Sequence, residues 1–428
     1  MSRIKRKKKG NKKKKIIFLI ITIILIIAIS LVCLKINSDR IKKLKEQELT
    51  SDILKHYNEY VITNKESNLY KLENDNYIKS GKIAKEEELI LAEKEITFKD
   101  EYLKIESLSD EYYIHYKDID AIEELSKKEN DRYKKYIPFN ENIVTKDTTN
   151  FYDDKNNLIY SIDKSFDLPI IVKKENIYGI EFNNRLLYVK KDDVKETKEN
   201  KNTDKKNTSG IAVLNYHFFY DETKASERND CNQIICKSKS GFKAHLDYIK
   251  DNNIFTPTMK EFEMYMNKEI NLPKSTLITI DDGWRTGIGT ALLEEYKLNG
   301  TIFLITSWFK EINFLYNKEY VEYHSHGDNL HNQGVCPGGQ GGAIKCLAKD
   351  KLLKDLALSR EKLDGSTAFC YPFYEYNSYS IEVLKEAGFT MAFEGGFKKA
   401  TPNTNKFKIP RYVMYDSTTV SQLKSYIN

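Results

Sequence analysis

Hydrophobic and polar positions follow several distinct patterns along this chain, and each pattern predicts a different element. Residues 16–34 are an uninterrupted uncharged run of nineteen, rich in Ile, preceded by fifteen residues holding ten Lys or Arg and no acid. Such a run is long enough to cross a bilayer as a helix, and its basic flank places residues 1–15 in the cytoplasm and everything from residue 35 outside the cell, with the protein a single-pass chain of the cell membrane. A cleaved signal peptide is the alternative, although the run is long and lacks a small-x-small cleavage site. In residues 35–60, Ile41, Leu44, Leu49 and Leu54 recur among Lys and Glu, which predicts a helical juxtamembrane stalk. Residues 61–140 read as a mixed α/β region with many tyrosines and no assignable role.

From residue 141 to 195 the period falls to two. Short strands are expected at 158–162, 170–172 and 186–189, with turns at 153–157 and 182–185. Residues 196–210 are too charged and too poor in apolar side chains to pack, and are expected to form a linker. From 211 to 428 strands and helices alternate. A strand at 276–280 is followed by a helix at 289–298, then a strand at 301–305, a helix at 349–363, a strand at 368–371, a helix at 380–387 and a strand at 390–393. This βαβα order predicts an α/β domain. Asn299-Gly300, Asp364-Gly365 and Gly388 stand where those helices should stop. The stretch GVCPGGQGG, residues 334–342, has no core-forming side chain and is expected to be a mobile loop.

Charge changes the picture once the amino terminus is set aside. The formal net charge is +6; without the ten positive charges of residues 1–15 the remainder carries −4. The folded part is therefore not a basic, nucleic-acid-binding protein. Apart from Cys33, the cysteines are Cys231, Cys236, Cys336, Cys346 and Cys370. Two closely spaced pairs, Cys231 with Cys236 and Cys336 with Cys346, are candidates for small loops closed in an oxidising compartment. A Cys₄ zinc site is the competing view, disfavoured by unequal spacings. Cys370 is left as an odd thiol.

The candidate chemistry gathers at two places. In TLITIDDGWRT, residues 276–286, a buried strand runs into Asp281, Asp282 and a glycine, at the strand end where α/β sheets keep functional groups. An Asp-Asp-Gly turn capping the next helix is the plainer reading. Residues 322–331 then hold His324, His326 and His331. Two imidazoles and a carboxylate form a ligand set for Zn²⁺ and related ions, and Asp282, His326 and His331 supply one. His324 is the spare, expected to be partly buried or to support a ligand. Zinc is the default occupant, though the same set accepts Co²⁺, Ni²⁺, Fe²⁺ or Mn²⁺.

These motifs, TIDDG followed by SHGDNLH, resemble the polysaccharide deacetylase (NodB homology) family of carbohydrate esterases, and most closely its poly-N-acetylglucosamine deacetylase branch. IAVLNYH at 211–217, LPKS at 272–275, and Phe242, His245, Leu246 and Ile249 extend the likeness over residues 211–428. The resemblance implies a distorted (β/α) barrel and a metal-dependent N-deacetylase. It assigns Asp281 as general base, Asp282, His326 and His331 as metal ligands, and the backbone N–H of Phe373, in YPFY at 371–374, as an oxyanion donor. The family's late Leu-x-His motif is absent, so His217 of the early Tyr-His strand takes the place of the general acid, with a core histidine as the alternative. Cys370 stands where many relatives carry an arginine that pairs with the base; Arg411 is equally a replacement for it or a surface strand residue.

Residues 178–189 are similar to bacterial SH3-like domains, which implies wall or glycan attachment or a folded spacer. Two classes of function follow. One is an extracellular deacetylase of an N-acetylglucosamine polymer, with peptidoglycan favoured over poly-N-acetylglucosamine exopolysaccharide and lysozyme resistance as a consequence. The other is an inactive glycan-binding scaffold.

Overall fold

Aliphatic and β-branched runs that are buried on both faces pair in parallel, because a strand covered on both sides carries no polar alternation. Seven strands, all but the fourth buried along their length, form one sheet in the computed structural model: β1 (Ala212–Tyr216), β2 (Thr276–Asp282), β3 (Gly300–Leu304), β4 (Val321–Ser325), β5 (Ala368–Cys370), β6 (Met391–Phe393) and β7 (Tyr412–Val413). Their order is β6-β5-β4-β3-β2-β1-β7, parallel throughout. The structure describes residues 2–56, 59–91, 101–106, 108, 111–126, 131–200, 209–231, 233–310, 312 and 317–428.

One segment turns this open sheet into a distorted barrel. Ile409 bridges to Phe393 at one edge, while Tyr412 and Val413 pair with Leu214 and Asn215 at the other. Arg411, between them, is fully buried. Outside the sheet lie α1 (Lys239–Asp251), α2 (Met259–Met266), α3 (Gly287–Tyr296), α4 (Lys349–Lys362), α5 (Ser378–Glu386) and α6 (Val420–Ile427). On α1 the buried residues Phe242, His245, Leu246 and Ile249 recur at helical spacing, and they join Leu214, Tyr216, Ile278 and Ile280 in one core, His245 excepted. The other face of the strands, with Val213, Leu277, Phe303, Cys370 and Phe393, forms a second core. The predicted elements are present, with ends within a few residues of expectation, but the order is not strictly βαβα: an unpredicted strand, β4, stands between β3 and α4. One stop differs: α3 ends at Tyr296 with Lys297 in the left-handed region (φ 55°), and Gly300 instead opens β3, where a Cβ would meet Leu293 at 2.5 Å.

Two compact units divide the chain: residues 1–127 with 157–164, and residues 128–156 with 165–428. In the first, residues 2–56 are one continuous helix, so the expected membrane run and stalk are not separate elements; residues 57 and 58 of the stalk lie outside the described residues. Residues 14–45 of it are long and apolar enough to cross a membrane. The region expected to be mixed α/β is, among the described residues, made of antiparallel strands and 3₁₀ turns, and its tyrosines Tyr70, Tyr77, Tyr102 and Tyr113 pack on one another.

In the second unit, the hairpin Ile177–Phe182 with Arg185–Lys190 turns through Asn183 and Asn184, both at positive φ, as a two-residue turn matching strand twist requires. The unit boundaries split residues 141–195, since 157–164 belong to the first unit. The start of the expected linker is a strand, Val194–Glu199, paired with Glu141–Thr145; residues 201–208 lie outside the described residues.

Both small disulfides are formed, Cys231–Cys236 and Cys336–Cys346, while Cys370 is a buried free thiol. The glycine-rich stretch is not the loose loop that its composition suggests. Besides the disulfide, Gly334 N–H donates to Gln340 O at 2.9 Å and Cys336 N–H to Gly341 O at 3.0 Å.

Candidate metal centre and active site

Asp281 and Asp282 end β2, and neighbouring residues of a strand point to opposite faces. Asp281 shares its face with Leu277 and Thr279, toward Arg411. Asp282 by alternation belongs with Ile278 and Ile280 on the helix side, but its φ of 72° breaks the alternation. A non-glycine residue in that region is strained, and such strain concentrates at functional sites. Asp282 Oδ1 thereby comes 3.3 Å from His326 Nε2 and 3.4 Å from His331 Nε2. The directions make no hydrogen bond, so Oδ1 is buried without a donor. Burial opposes the charge on Asp282, and His326, His217 and His331 outweigh it, keeping its pKa below the ordinary value.

The imidazoles are aimed by their other contacts. His326 Nδ1 lies 2.8 Å from the Cys370 carbonyl oxygen; an oxygen there accepts only from N–H, so Nδ1 carries a proton and Nε2 is the nitrogen turned toward Asp282. The His331 ring is flanked by Phe373, 4.2 Å between centroids, and Trp308, 5.8 Å. The loop between the histidines is held by Asp355, which accepts from the N–H groups of Asp328 and Asn329, both at 2.8 Å. His324 stands apart from the cluster, its Nδ1 2.9 Å from Ser366 Oγ.

Among the described residues, two trios bring possible ligand atoms together: Asp282, His326 and His331, and Asp281, His326 and Cys370. The second is a poor site. Asp281 is already clamped by Arg411, whose Nη1 and Nη2 lie 2.7 and 2.8 Å from its two oxygens. Burial pushes the Cys370 thiol up, away from the thiolate a metal needs. The first trio has an orphaned carboxylate oxygen facing two Nε2 atoms and fits a divalent ion.

Around Asp281 the charges oppose one another. Burial alone would raise its pKa, but the Arg411 guanidinium reverses this and holds the carboxyl far below the usual range. Cys370 fills the remaining space, its Sγ 3.3 Å from Asp281 Oδ2 and 2.9 Å from Arg411 Nη2. His217 Nε2 is 4.0 Å from Asp281 Oδ2, and burial lowers its pKa. Its Nδ1 is buried without a partner.

Sequence reasoning missed Tyr374 and Asn215. The Tyr374 hydroxyl donates to Asn215 Oδ1 at 2.6 Å and stands 3.4 Å from His217 Nε2. Both lie inside motifs already quoted, NYH and YPFY. Phe373 and Tyr374 are consecutive residues at φ 57° and 60°, a turn beside the cluster. The site thus joins a buried ionised carboxylate, a trio of side chains that could hold a metal ion and a buried imidazole, the residue types a metal-assisted hydrolase uses.

Residues 268–392 match the polysaccharide deacetylase family. The chain is 26% identical over 233 residues to a poly-beta-1,6-N-acetyl-D-glucosamine N-deacetylase of Staphylococcus aureus, covering 50% of this chain and 77% of that protein. Its counterpart in Staphylococcus epidermidis is 24% identical over 254 residues, covering 53% and 86%. Among solved structures, IcaB from Ammonifex degensii superposes with a TM-score of 0.44 at 19% identity, covering 51% of this chain and 97% of that one. The chain therefore carries a polysaccharide deacetylase domain, similar to that of named poly-N-acetylglucosamine N-deacetylases.

Proposed function

We propose that this enzyme removes acetyl groups from N-acetylglucosamine residues of an extracellular poly-N-acetylglucosamine-like polymer, with one divalent metal held by Asp282, His326 and His331. The observation that carries the reading is the buried Asp282 oxygen without a donor, facing two Nε2 atoms. Zinc suits this His₂Asp set, as do Co²⁺, Ni²⁺, Fe²⁺ and Mn²⁺. When bound, the ion supplies Lewis-acid polarisation of a water and of the acetamide carbonyl.

Asp281 is assigned as the general base. Arg411 keeps it ionised and fixes both its oxygens, which weakens it as a base but guarantees the unprotonated form. His217 is assigned as the general acid: burial makes its protonated form a strong donor, suited to an amine leaving group. The Phe373 amide is assigned as a donor to the tetrahedral oxyanion, and Arg411 as the residue that positions Asp281. Residues 16–34, exposed and apolar within the first helix, are assigned as a membrane anchor, with residues 1–15 inside and the domain outside.

Peptidoglycan is the second reading, favoured by the anchor and by the resemblance of residues 178–189 to SH3-like wall-binding domains. The test is acetate release from each polymer by the full chain in detergent and by its Asp281→Asn variant. The proposal expects acetate from poly-N-acetylglucosamine, strongly reduced in the variant. Release from peptidoglycan alone would select the second reading, and release from neither would leave a glycan-binding scaffold.

A further inference from the structure

Glu375 is used by nothing in the mechanism above, yet it is the most heavily engaged carboxylate beside the site. Its two oxygens accept from the backbone N–H groups of Gln340 and Gly342, the latter at 2.8 Å, and from Lys345 Nζ at 2.9 Å. Lys345 in turn donates to the carbonyls of Gly338 and Pro337, at 2.7 and 3.3 Å. One ion pair thus collects both the donors and the acceptors of the loop that Cys336–Cys346 closes. The loop backbone comes close: at Gly339, in the left-handed region, a Cβ would fall 1.8 Å from Glu375 Oε1, and one on Gly342 would meet Glu375 Oε2 at 3.1 Å and the Phe373 ring at 3.5 Å.

The loop therefore lies against Phe373, whose ring packs on His331. Its far end, Ala343 and Ile344, shares a core with Leu330, the residue before His331. Glu375 itself follows the two left-handed residues Phe373 and Tyr374, a conformation that persists only where the surroundings enforce it. Tyr374 is tied on one side through Asn215. Glu375 ties the other.

We infer that Glu375 is a positioning residue, which clamps the disulfide-closed loop 336–346 against Phe373 and so holds the turn 372–374 and the His331 ring in their working places. This rests on the deacetylase reading for its effect on rate. Glu375→Gln keeps the size but turns one acceptor into a donor facing an N–H or Lys345. Its kcat for acetate release should fall by roughly tenfold to a hundredfold, the scale of a small misplacement, with KM, metal content and melting temperature near the parent's. Hydrogen exchange should rise in peptides covering 334–347 and also in those covering 371–376.

Lys345→Ala attacks the same contact from the loop side, so the Lys345→Ala/Glu375→Ala double variant should be no slower than Glu375→Ala alone. Parental kcat in Glu375→Gln, additive losses in the double variant, or exchange that rises in the loop but not in 371–376 would each overturn the inference. Should the parent release no acetate, the deacetylase reading fails, while exchange in 371–376 still decides the clamp.

Discussion

Asp281 and Asp282 are neighbours in the chain and opposites in environment. Asp281 sits in a saturated cradle, with both oxygens on Arg411 and a thiol against its side. Asp282 sits in an unfinished one, buried with two imidazoles near but no donor on Oδ1. A carboxylate paired with a guanidinium stays ionised and able to take a proton, though as a weaker base, whereas one that accepts from no donor and faces two imidazoles is suited to holding a cation. The two roles proposed above, base for Asp281 and metal ligand for Asp282, follow this difference.

Substitutions should separate the two cradles. Asp282→Asn is expected to have the largest effect, losing bound metal and, with it, measurable acetate release; metal analysis of the purified variant checks this. Asp281→Asn should retain the metal and lose kcat by about 10²- to 10⁴-fold, the range of a general base. Equal metal loss in both variants would erase the distinction.

Arg411→Ala leaves Asp281 charged and buried without its partner, at a cost of about 3–5 kcal/mol in urea unfolding. Because Arg411 is what holds the Asp281 pKa down, the acidic limb of kcat/KM should move to higher pH in this variant. An unmoved limb would mean that another group sets it.

The smallest effect concerns neither cradle. His245 is buried, receives the Tyr216 hydroxyl on Nδ1 and donates from Nε2 to Thr418 O, at 2.9 and 3.0 Å. Burial, aided by Lys237, lowers its pKa from 6.5 to about 4. The unfolded chain therefore binds this proton more readily than the folded one. Stability should be full above pH 6.5 and decline as pH falls toward 4, by about 3 kcal/mol, and His245→Gln should flatten that slope. The slope separates acid loss of the fold from acid loss at Asp281.

Local patterns made much of this site readable. The apolar run into Asp281-Asp282-Gly283 and the clustered histidines carry their meaning within a few residues, and the candidate metal trio follows from them. Arg411 could not be resolved in that way, because its pairing with Asp281 depends on residues 409–413 touching both edges of the sheet. Glu375 was invisible for a similar reason, since its acceptors are filled by backbone amides that no side-chain pattern announces. Composition misled at residues 196–199, part of an edge strand whose side chains are mostly exposed and so show no apolar alternation. It misled again at 334–342, where glycines serve close packing around Glu375.

The most direct test of the central claim is an anomalous diffraction map at the zinc edge from crystals of the protein grown with zinc. One strong peak about 2 Å from Asp282, His326 Nε2 and His331 Nε2, with Asp281 still on Arg411, is the predicted result. A peak among Asp281, His326 and Cys370, or none near either trio, would contradict it.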